Sequence, residues 1–171
     1  MAQDLSHSIS SARLAPGVRM AAVVSTYHGE LCGAMLASAE RTLEAAGLAP
    51  GSLEVHQAPG AFELPLLARR LAARGDVDAV LAFGLVLKGE TRHDVVVGDG
   101  AAQGLLRASL DTDVPILLGV LTCDNLSQAR ARALSPEEGG ELDKGREVAL
   151  ACIQTLSSLA AIDARGGEDR T

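Results

Sequence analysis

The sequence predicts an α/β fold, a single domain in which a four-stranded parallel sheet lies between two layers of helices (three-layer αβα). Four short apolar runs have the pattern of strands, and they alternate with segments whose apolar residues recur every three or four positions. Such alternation builds right-handed βαβ units with parallel strands. The chain has 171 residues, 47% of them hydrophobic, which is enough for one core.

Two strands and two helices are predicted in the first half of the chain. Residues 18–25 are a continuous apolar run, typical of a strand buried on both faces. Residues 30–46 have helical periodicity, and Gly47 is a common residue at a helix end. Residues 52–57 alternate between apolar and polar side chains and predict the second strand. Residues 64–74, with leucines at helical spacing, predict the second helix.

The third strand is predicted at residues 79–87, and the connection after it is ambiguous. Residues 95–100 (V-V-V-G-D-G) favour a strand and a turn, whereas residues 101–110 favour a helix. β-branched residues lose rotamer freedom in a helix, and Gly costs about 1 kcal/mol there relative to Ala. Because the connection between parallel strands is usually helical, we predict a helix with a weak first turn.

The last third of the chain predicts one more strand and two helices. Residues 115–121 are the fourth strand, which a proline can begin. Residues 122–125 (T-C-D-N) supply candidate N-caps for a helix that ends near Ala133. Residues 135–142 form a polar loop, and the closing helix begins at Lys144. The predicted organisation is an N-terminal arm (1–17), the α/β domain (18–162) and a charged C-terminal tail (163–171).

Charge and cysteine content narrow the classes of partner. The net charge is −7 and no basic run occurs, so we expect no nucleic-acid surface. The three cysteines are widely spaced and form no C-x-x-C pair, which predicts neither a disulfide framework nor a zinc site. The N-terminus lacks a signal-peptide pattern, and no apolar run approaches the roughly 20 residues that span a bilayer. We expect a soluble, cytoplasmic protein without membrane contact that binds small molecules or other protein chains.

A short turn follows each predicted strand. These turns comprise residues 26–28, 58–63, 88–93 and 122–124. In a parallel sheet the carboxyl ends of the strands meet at one edge, which is where open α/β sheets bind ligands. The sequence therefore predicts a single site built from four loops.

Several motifs, in the right order and spacing over about residues 18–159, resemble those of the lumazine synthase (6,7-dimethyl-8-ribityllumazine synthase) family. They are P-G-A-F-E-L-P at 59–65, G-L-V-L-K-G-E-T-R-H at 84–93, P-I-L-L-G-V-L-T at 115–122 and D-K-G at 143–145. The resemblance implies a flavodoxin-like fold and a transferase that acts in the penultimate step of riboflavin biosynthesis. The expected reaction condenses 5-amino-6-(D-ribitylamino)uracil with 3,4-dihydroxy-2-butanone 4-phosphate to 6,7-dimethyl-8-ribityllumazine, phosphate and water. It implies no cofactor, neither a metal nor an organic group.

The resemblance assigns nine residues to the pyrimidine ring and the ribityl chain. Tyr27 would stack on the heterocycle, although an aromatic residue at a sheet edge can equally fill a core gap. Glu63 would contact the ribityl chain, whereas by itself it would be an acidic first-turn residue that complements a helix dipole. The nine residues are Tyr27, His28, Gly60, Ala61, Phe62, Glu63, Leu87, Lys88 and Leu118.

Catalysis and phosphate binding are assigned on the same basis. His93 is the candidate catalytic proton shuttle, because an imidazole can both donate and accept a proton near neutral pH. Without the resemblance, a histidine at a helix start is more often solvated. Backbone N–H groups at a helix N-terminus favour an anion, and an arginine offers a bidentate fork. The phosphate-binding candidates are Gly89, Glu90, Thr91, Arg132 and Lys144. By itself Arg132 is more consistent with a solvated surface charge, and Lys144 is equally consistent with either role.

The chain departs from the family pattern near this site. Lys88 stands where Arg is usual, Asp94 where an aromatic residue usually follows the histidine, and Val95 where an acidic residue is common. Leu118 replaces a residue that is often aromatic or polar, and His28 stands where many relatives have Asn. These departures keep open an alternative, a non-catalytic flavin- or lumazine-binding paralogue that acts as a scaffold or carrier. A generic flavodoxin-like nucleotide binder is disfavoured, because no G-x-G-x-x-G or P-loop occurs.

The resemblance also implies assembly. Family members form pentamers whose active sites lie at subunit interfaces, and the N-terminal arm adds a strand to a neighbour's sheet. A short link between the last two helices is associated with icosahedral capsids. Here residues 134–142 are several residues longer and carry Pro136 and three glutamates. We therefore expect a free homo-pentamer or a decamer, with a functional link to riboflavin synthase.

Overall fold

Four strands and five α-helices alternate over residues 13–168, which are the residues that this computed structural model describes. The strands are β1 (Met20–Ser25), β2 (Leu53–Ala58), β3 (Ala79–Leu87) and β4 (Ile116–Cys123). The helices are α1 (Gly29–Ala45), α2 (Leu64–Ala72), α3 (His93–Thr112), α4 (Leu126–Ala133) and α5 (Lys144–Glu168). Two short 3-10 helices, Ala61–Glu63 and Pro136–Glu138, precede α2 and α5.

All three strand pairings are parallel, and the strand order is β2-β1-β3-β4. Met20 lies opposite both Leu53 and Ala79, and Val80 lies opposite Ile116. The predicted four-stranded parallel sheet is confirmed. Every strand therefore points its carboxyl end toward the same edge.

Alternate residues of the central strands pack into two separate apolar cores. Met20, Ala22 and Val24 of β1 face one core together with α1, α4 and α5. Ala21 and Val23 face the other core together with α2 and α3. Successive side chains of a strand point to opposite faces, so both faces of β1 and β3 must be apolar. This three-layer arrangement confirms the predicted αβα, flavodoxin-like fold.

The ambiguous connection between β3 and β4 is helical from His93 to Thr112. Its glycines, which lower helix propensity, lie at close contacts with other elements. A Cβ atom on Gly98 would lie 2.8 Å from Thr122 Cγ2, and one on Gly104 would lie 2.7 Å from the Pro65 ring. Packing of α3 on β4 and α2 therefore requires the residues that make the helix look weak in the sequence.

The start of α4 differs in one respect from the prediction. Strand β4 continues through Cys123, so Thr122 and Cys123 belong to the sheet and not to a helix cap. Asn125 is the N-cap, because its side-chain oxygen accepts a hydrogen bond of 2.9 Å from the Gln128 N–H. The N-cap lies within the predicted range 122–125, but Thr122 and Cys123 are strand residues and were wrong as cap candidates.

The two ends of the described chain pack differently. Leu14 N–H donates to the Ala46 carbonyl at 3.0 Å, which ties the end of the predicted arm to α1; the rest of the arm, residues 1–12, lies outside the described residues. Helix α5 continues through Glu168 into the predicted tail. Over Lys144–Arg165 it has the length and mean hydropathy (1.3) of a membrane-spanning helix. Its first half nevertheless packs in the core through Val148 and Cys152, as in other α/β folds.

Candidate functional site at the carboxyl edge of the sheet

A cavity of about 770 Å³ opens at the carboxyl edge, where the loops after β1, β2 and β3 meet. This volume is within the range of small-molecule sites. Of the predicted site residues, ten line it: Tyr27, His28, Gly60, Ala61, Phe62, Glu63, Leu87, Gly89, Thr91 and His93. Three loops that are distant in sequence therefore contribute to one surface.

The loop after β1 is fixed through its backbone, while the tyrosine ring is exposed. The Tyr27 carbonyl accepts hydrogen bonds from Ser25 Oγ (3.3 Å) and Cys32 Sγ (3.7 Å). Burial raises the pKa of the Cys32 thiol from 9.0 to about 11, so it stays protonated and able to donate. The Tyr27 side chain is 68% exposed. It therefore does not fill a core gap and is available for stacking.

The loop after β2 presents a carboxylate and an aromatic ring. Gly60 is extended, and a Cβ atom there would lie only 3.0 Å from Glu63 Oε2. The exposed Phe62 ring lies against Gly100 of α3. Because Ala61–Glu63 begins a helical segment at the cavity, its first N–H groups have no partners within that segment. These groups suit the hydroxyls and carbonyls of a polar ligand.

The loop after β3 combines an imidazole with the N-terminus of a long helix. His93 is the first residue of α3, and its N–H donates to Thr91 Oγ1 at 3.3 Å. Thr91 accepts in this bond, so its hydroxyl proton remains available for an oxygen of a ligand. The positive end of the α3 dipole favours an anion at this point. The loop thus offers an anion site next to a proton donor and acceptor.

The prediction of one site built from four loops is correct for three of them. The loop after β4 lines a separate, smaller cavity of about 360 Å³, together with Lys88 and Arg132. The first turns of α3 separate the two cavities, and Asp94 lines both. Helix α3 crosses from β3 to β4, which is the physical reason that the fourth loop is excluded from the larger cavity.

Five predicted site residues do not line the larger cavity: Lys88, Glu90, Leu118, Arg132 and Lys144. Lys88 Nζ lies 3.9 Å from Asp124 Oδ1, an exposed pair that adds little stability. Leu118 is 46% exposed on β4. Arg132 donates to the Gln128 carbonyl at 3.3 Å.

Lys144 is the first residue of α5 and follows Asp143, a buried residue that holds α5 against α1. Its Nζ pairs with Glu147 at 2.8 Å. The buried Asp143 carboxylate accepts hydrogen bonds from Ser38 Oγ (2.8 Å) and the Arg146 N–H (3.0 Å), and a Cβ atom on Gly145 would overlap the Met35 carbonyl. The D-K-G motif therefore fixes α5 on α1, and the Lys144 side chain beside it is partly buried (24% exposed).

The cavity has further wall residues that were not predicted: Leu85, Val86, Asp94, Val96 and Val97. Val96 and Val97 lie three and four positions after His93, so a helix places them on its face. If residues 93–100 form a helix, this spacing predicts that both valines lie beside His93. Among residues 13–168, no group of three or more His, Cys, Asp or Glu side chains is placed to hold a metal ion.

The fold and the cavity define a class of protein, an αβα protein with a small-molecule site at the carboxyl edge of a parallel sheet. The sequence model described as 6,7-dimethyl-8-ribityllumazine synthase matches residues 17–160. The chain belongs to this family.

Individual relatives agree over nearly their whole length, and each carries the name 6,7-dimethyl-8-ribityllumazine synthase. The relative from Kineococcus radiotolerans is 45% identical over 146 residues, which is 85% of this chain and 88% of the relative. The relative from Frankia casuarinae is 44% identical over 150 residues, 88% and 91% of the two chains. The relative from Stenotrophomonas maltophilia is 38% identical over 155 residues, 91% and 97%.

Proposed function

We propose that this chain condenses 5-amino-6-(D-ribitylamino)uracil with 3,4-dihydroxy-2-butanone 4-phosphate to 6,7-dimethyl-8-ribityllumazine, phosphate and water. Family membership supports the reaction. The observation that carries it is that one cavity brings together an exposed aromatic ring, a carboxylate, a helix N-terminus and an imidazole. A pyrimidine, a ribityl chain, a phosphate and a moving proton need these four groups.

Each substrate has a proposed place in the cavity. The pyrimidine stacks on Tyr27, and its ribityl hydroxyls bond to Glu63 and to the N–H groups that begin the Ala61–Glu63 segment. The phosphate lies at Gly89 and Thr91, where the α3 dipole and the free hydroxyl proton favour it. Phe62 closes one wall of the cavity.

His93 is the proposed proton shuttle. The 5-amino group of the uracil attacks the ketone to form an imine with loss of water. Phosphate is then eliminated, and the enol that this leaves tautomerises to a new carbonyl. The ribitylamino nitrogen attacks that carbonyl and closes the ring with loss of a second water. The exposed imidazole at the start of α3 can take a proton from the attacking amine and return it to the departing hydroxyl. Alignment of two reactive substrates supplies much of the remaining acceleration.

Three of the five predicted residues outside the cavity act, in this proposal, from a neighbouring subunit. Arg132, Lys144 and Leu118 lie outside the cavity of their own chain, as residues shared across an interface would. Three large apolar side chains on α2 and α3 support such an interface, since Leu66 and Leu106 are each 63% exposed and Leu110 is 73% exposed. A ring of five subunits covers them.

The proposed assembly is a free pentamer or a decamer. The Pro136–Glu138 helix and its capping box give the loop before α5 a defined shape, and Glu137 is exposed there. Its carboxylates repel a like surface at contacts between pentamers. Light scattering should give five or ten times the chain mass, and a capsid of sixty subunits would contradict this part.

The reaction is tested by mixing both substrates with the pure protein and following the fluorescence of the lumazine. We expect a rate well above the spontaneous condensation. A rate equal to the spontaneous one would contradict the proposal and leave the non-catalytic lumazine- or flavin-binding paralogue.

The shuttle is tested with His93→Ala, which should leave the assembly intact and lower kcat modestly. The loss should be smaller than the roughly hundredfold or more that general acid–base catalysis typically supplies, because substrate alignment provides much of the acceleration. His56→Ala is the matched control, because His56 is an exposed histidine on β2 that pairs with Glu54 at 3.6 Å and does not line the cavity. Equal kinetics of the two variants would remove the shuttle role from His93. Cytoplasmic localisation and a link to riboflavin synthase stay predictions of the sequence.

A further inference from the structure

His28 combines an unusual backbone conformation with a ring contact. Its φ of 56° and ψ of 40° lie in the left-handed region, at the residue that precedes α1. Its imidazole lies 4.8 Å from the Tyr27 ring, centroid to centroid, with an interplanar angle of 77°. Side chains of adjacent residues in an extended chain point to opposite sides. The left-handed turn therefore makes this contact between neighbours possible.

The Tyr27 ring needs such a contact, because little else restrains it. Hydrogen bonds to its carbonyl fix the backbone of the loop, but the side chain is 68% exposed. An exposed aromatic side chain samples several rotamers and loses conformational entropy when a ligand stacks on it. Edge-to-face packing on the imidazole restricts the ring in advance, and it leaves at least one face of the tyrosine free.

We propose that His28 is a positioning residue, whose ring holds Tyr27 in the orientation in which the pyrimidine stacks. The inference rests on the proposed function, in which Tyr27 receives the uracil ring. In this proposal the backbone and the imidazole ring of His28 have different roles. The turn brings the two rings together, and the imidazole orders the tyrosine before substrate binds, which lowers the entropy lost on binding.

The variants His28→Asn and His28→Gly distinguish the role of the backbone turn from the role of the imidazole ring. Both residues tolerate a positive φ, so both keep the turn, and both remove the imidazole. His28→Phe returns an aromatic ring. The chain contains one tyrosine and no tryptophan, so the near-ultraviolet circular dichroism of tyrosine reports on Tyr27 alone. Tyr27→Phe, which abolishes that band, confirms the assignment.

We expect the Asn and Gly variants to lose most of the tyrosine band while thermal unfolding remains cooperative. Their KM for the aminouracil should rise about twofold to tenfold, the range of an aromatic pair, with kcat and the KM for the phosphate substrate unchanged. His28→Phe should recover much of both signals. An unchanged band, or a lost band with an unchanged KM, would overturn the inference. If the parent protein made no lumazine, the proposed function would fail, whereas the band would still decide whether His28 orders Tyr27.

Discussion

Replacing Gly100 with Ala tests whether Phe62 is a movable wall of the larger cavity. A Cβ atom on Gly100 would lie 2.7 Å from Phe62 Cε2 and 3.2 Å from Cδ2, and the next nearest atom, at 3.8 Å, also belongs to this ring. The Phe62 side chain is 56% exposed, so its ring can turn away. The added methyl group should therefore push the ring toward the cavity without moving the backbone.

The change in stability should be small because two effects of similar size oppose each other. Ala is favoured over Gly in a helix by about 1 kcal/mol. Displacement of a ring from its preferred rotamer costs about 0.5–1.5 kcal/mol. The free energy of unfolding of Gly100→Ala should remain within about 1 kcal/mol of the parent value.

Gly119→Ala is the contrasting variant. A Cβ atom on Gly119 would lie 2.8 Å from the Ala82 carbonyl oxygen, and it would also meet the ring of Phe83, which is fully buried. Neither group can move freely, so overpacking should cost roughly 1–3 kcal/mol or more.

Urea unfolding and steady-state kinetics distinguish these effects. Gly100→Ala should keep its midpoint and raise the KM for the aminouracil by about twofold to tenfold, which corresponds to about 0.5–1.5 kcal/mol of lost aromatic contact. Gly119→Ala should lower the midpoint. A large loss of stability in Gly100→Ala would show that Phe62 is fixed, and an unchanged KM would remove it from the cavity wall; either result refutes the reasoning.

Two further predictions concern groups away from the cavity. Asp143→Ala removes the hydrogen bonds from Ser38 and from the Arg146 N–H and places Ala at a φ of 46°, so the free energy of unfolding in urea should fall by roughly 2–4 kcal/mol. Asp143→Gly should recover about 1 kcal/mol of this, because glycine adopts a positive φ without strain. Equal losses in the two variants would contradict the backbone strain. Burial raises the pKa of the Cys32 thiol to about 11, against 9.0 in the unfolded chain, so the unfolded chain loses this proton at a lower pH. The contribution of the protonated thiol to the free energy of unfolding is therefore complete below pH 9, and about 2–3 kcal/mol of it is lost by pH 11. Between pH 9 and pH 11 the free energy of unfolding should therefore fall less steeply in Cys32→Ala than in the parent protein. Parallel curves of this free energy against pH would contradict the raised pKa.

Much of the fold follows from local sequence patterns. Strand β3 has the predicted bounds because every residue from Ala79 to Val86 is buried, so that its apolar run is unbroken. Helix α3 required an argument from topology, since its valines and glycines oppose a helix locally and are explained by packing on Thr122 and Pro65. The end of β4 could not be read from composition, because Thr122 suits a helix cap and a strand equally well.

The convergence of three loops on one cavity could be predicted from the sequence. Residues at the ends of β1, β2 and β3 converge because parallel strands end at one edge. The position of Arg132 relative to that cavity depends on where α3 crosses the sheet, which no spacing in the sequence reveals. Likewise, the D-K-G motif alone does not show that Asp143 accepts hydrogen bonds that hold α5 on α1.

The most direct test of the central claim, that the larger cavity is where the two substrates meet, is a crystal structure with an unreactive ribitylaminouracil analogue and inorganic phosphate. We predict that the heterocycle stacks on Tyr27, that the ribityl chain lies beside Glu63, and that the phosphate lies within hydrogen-bond distance of Thr91 Oγ1, next to His93. Ligands bound only in the smaller cavity, beside Lys88 and Asp124 of one subunit, would contradict this claim, as would an empty larger cavity at saturating ligand.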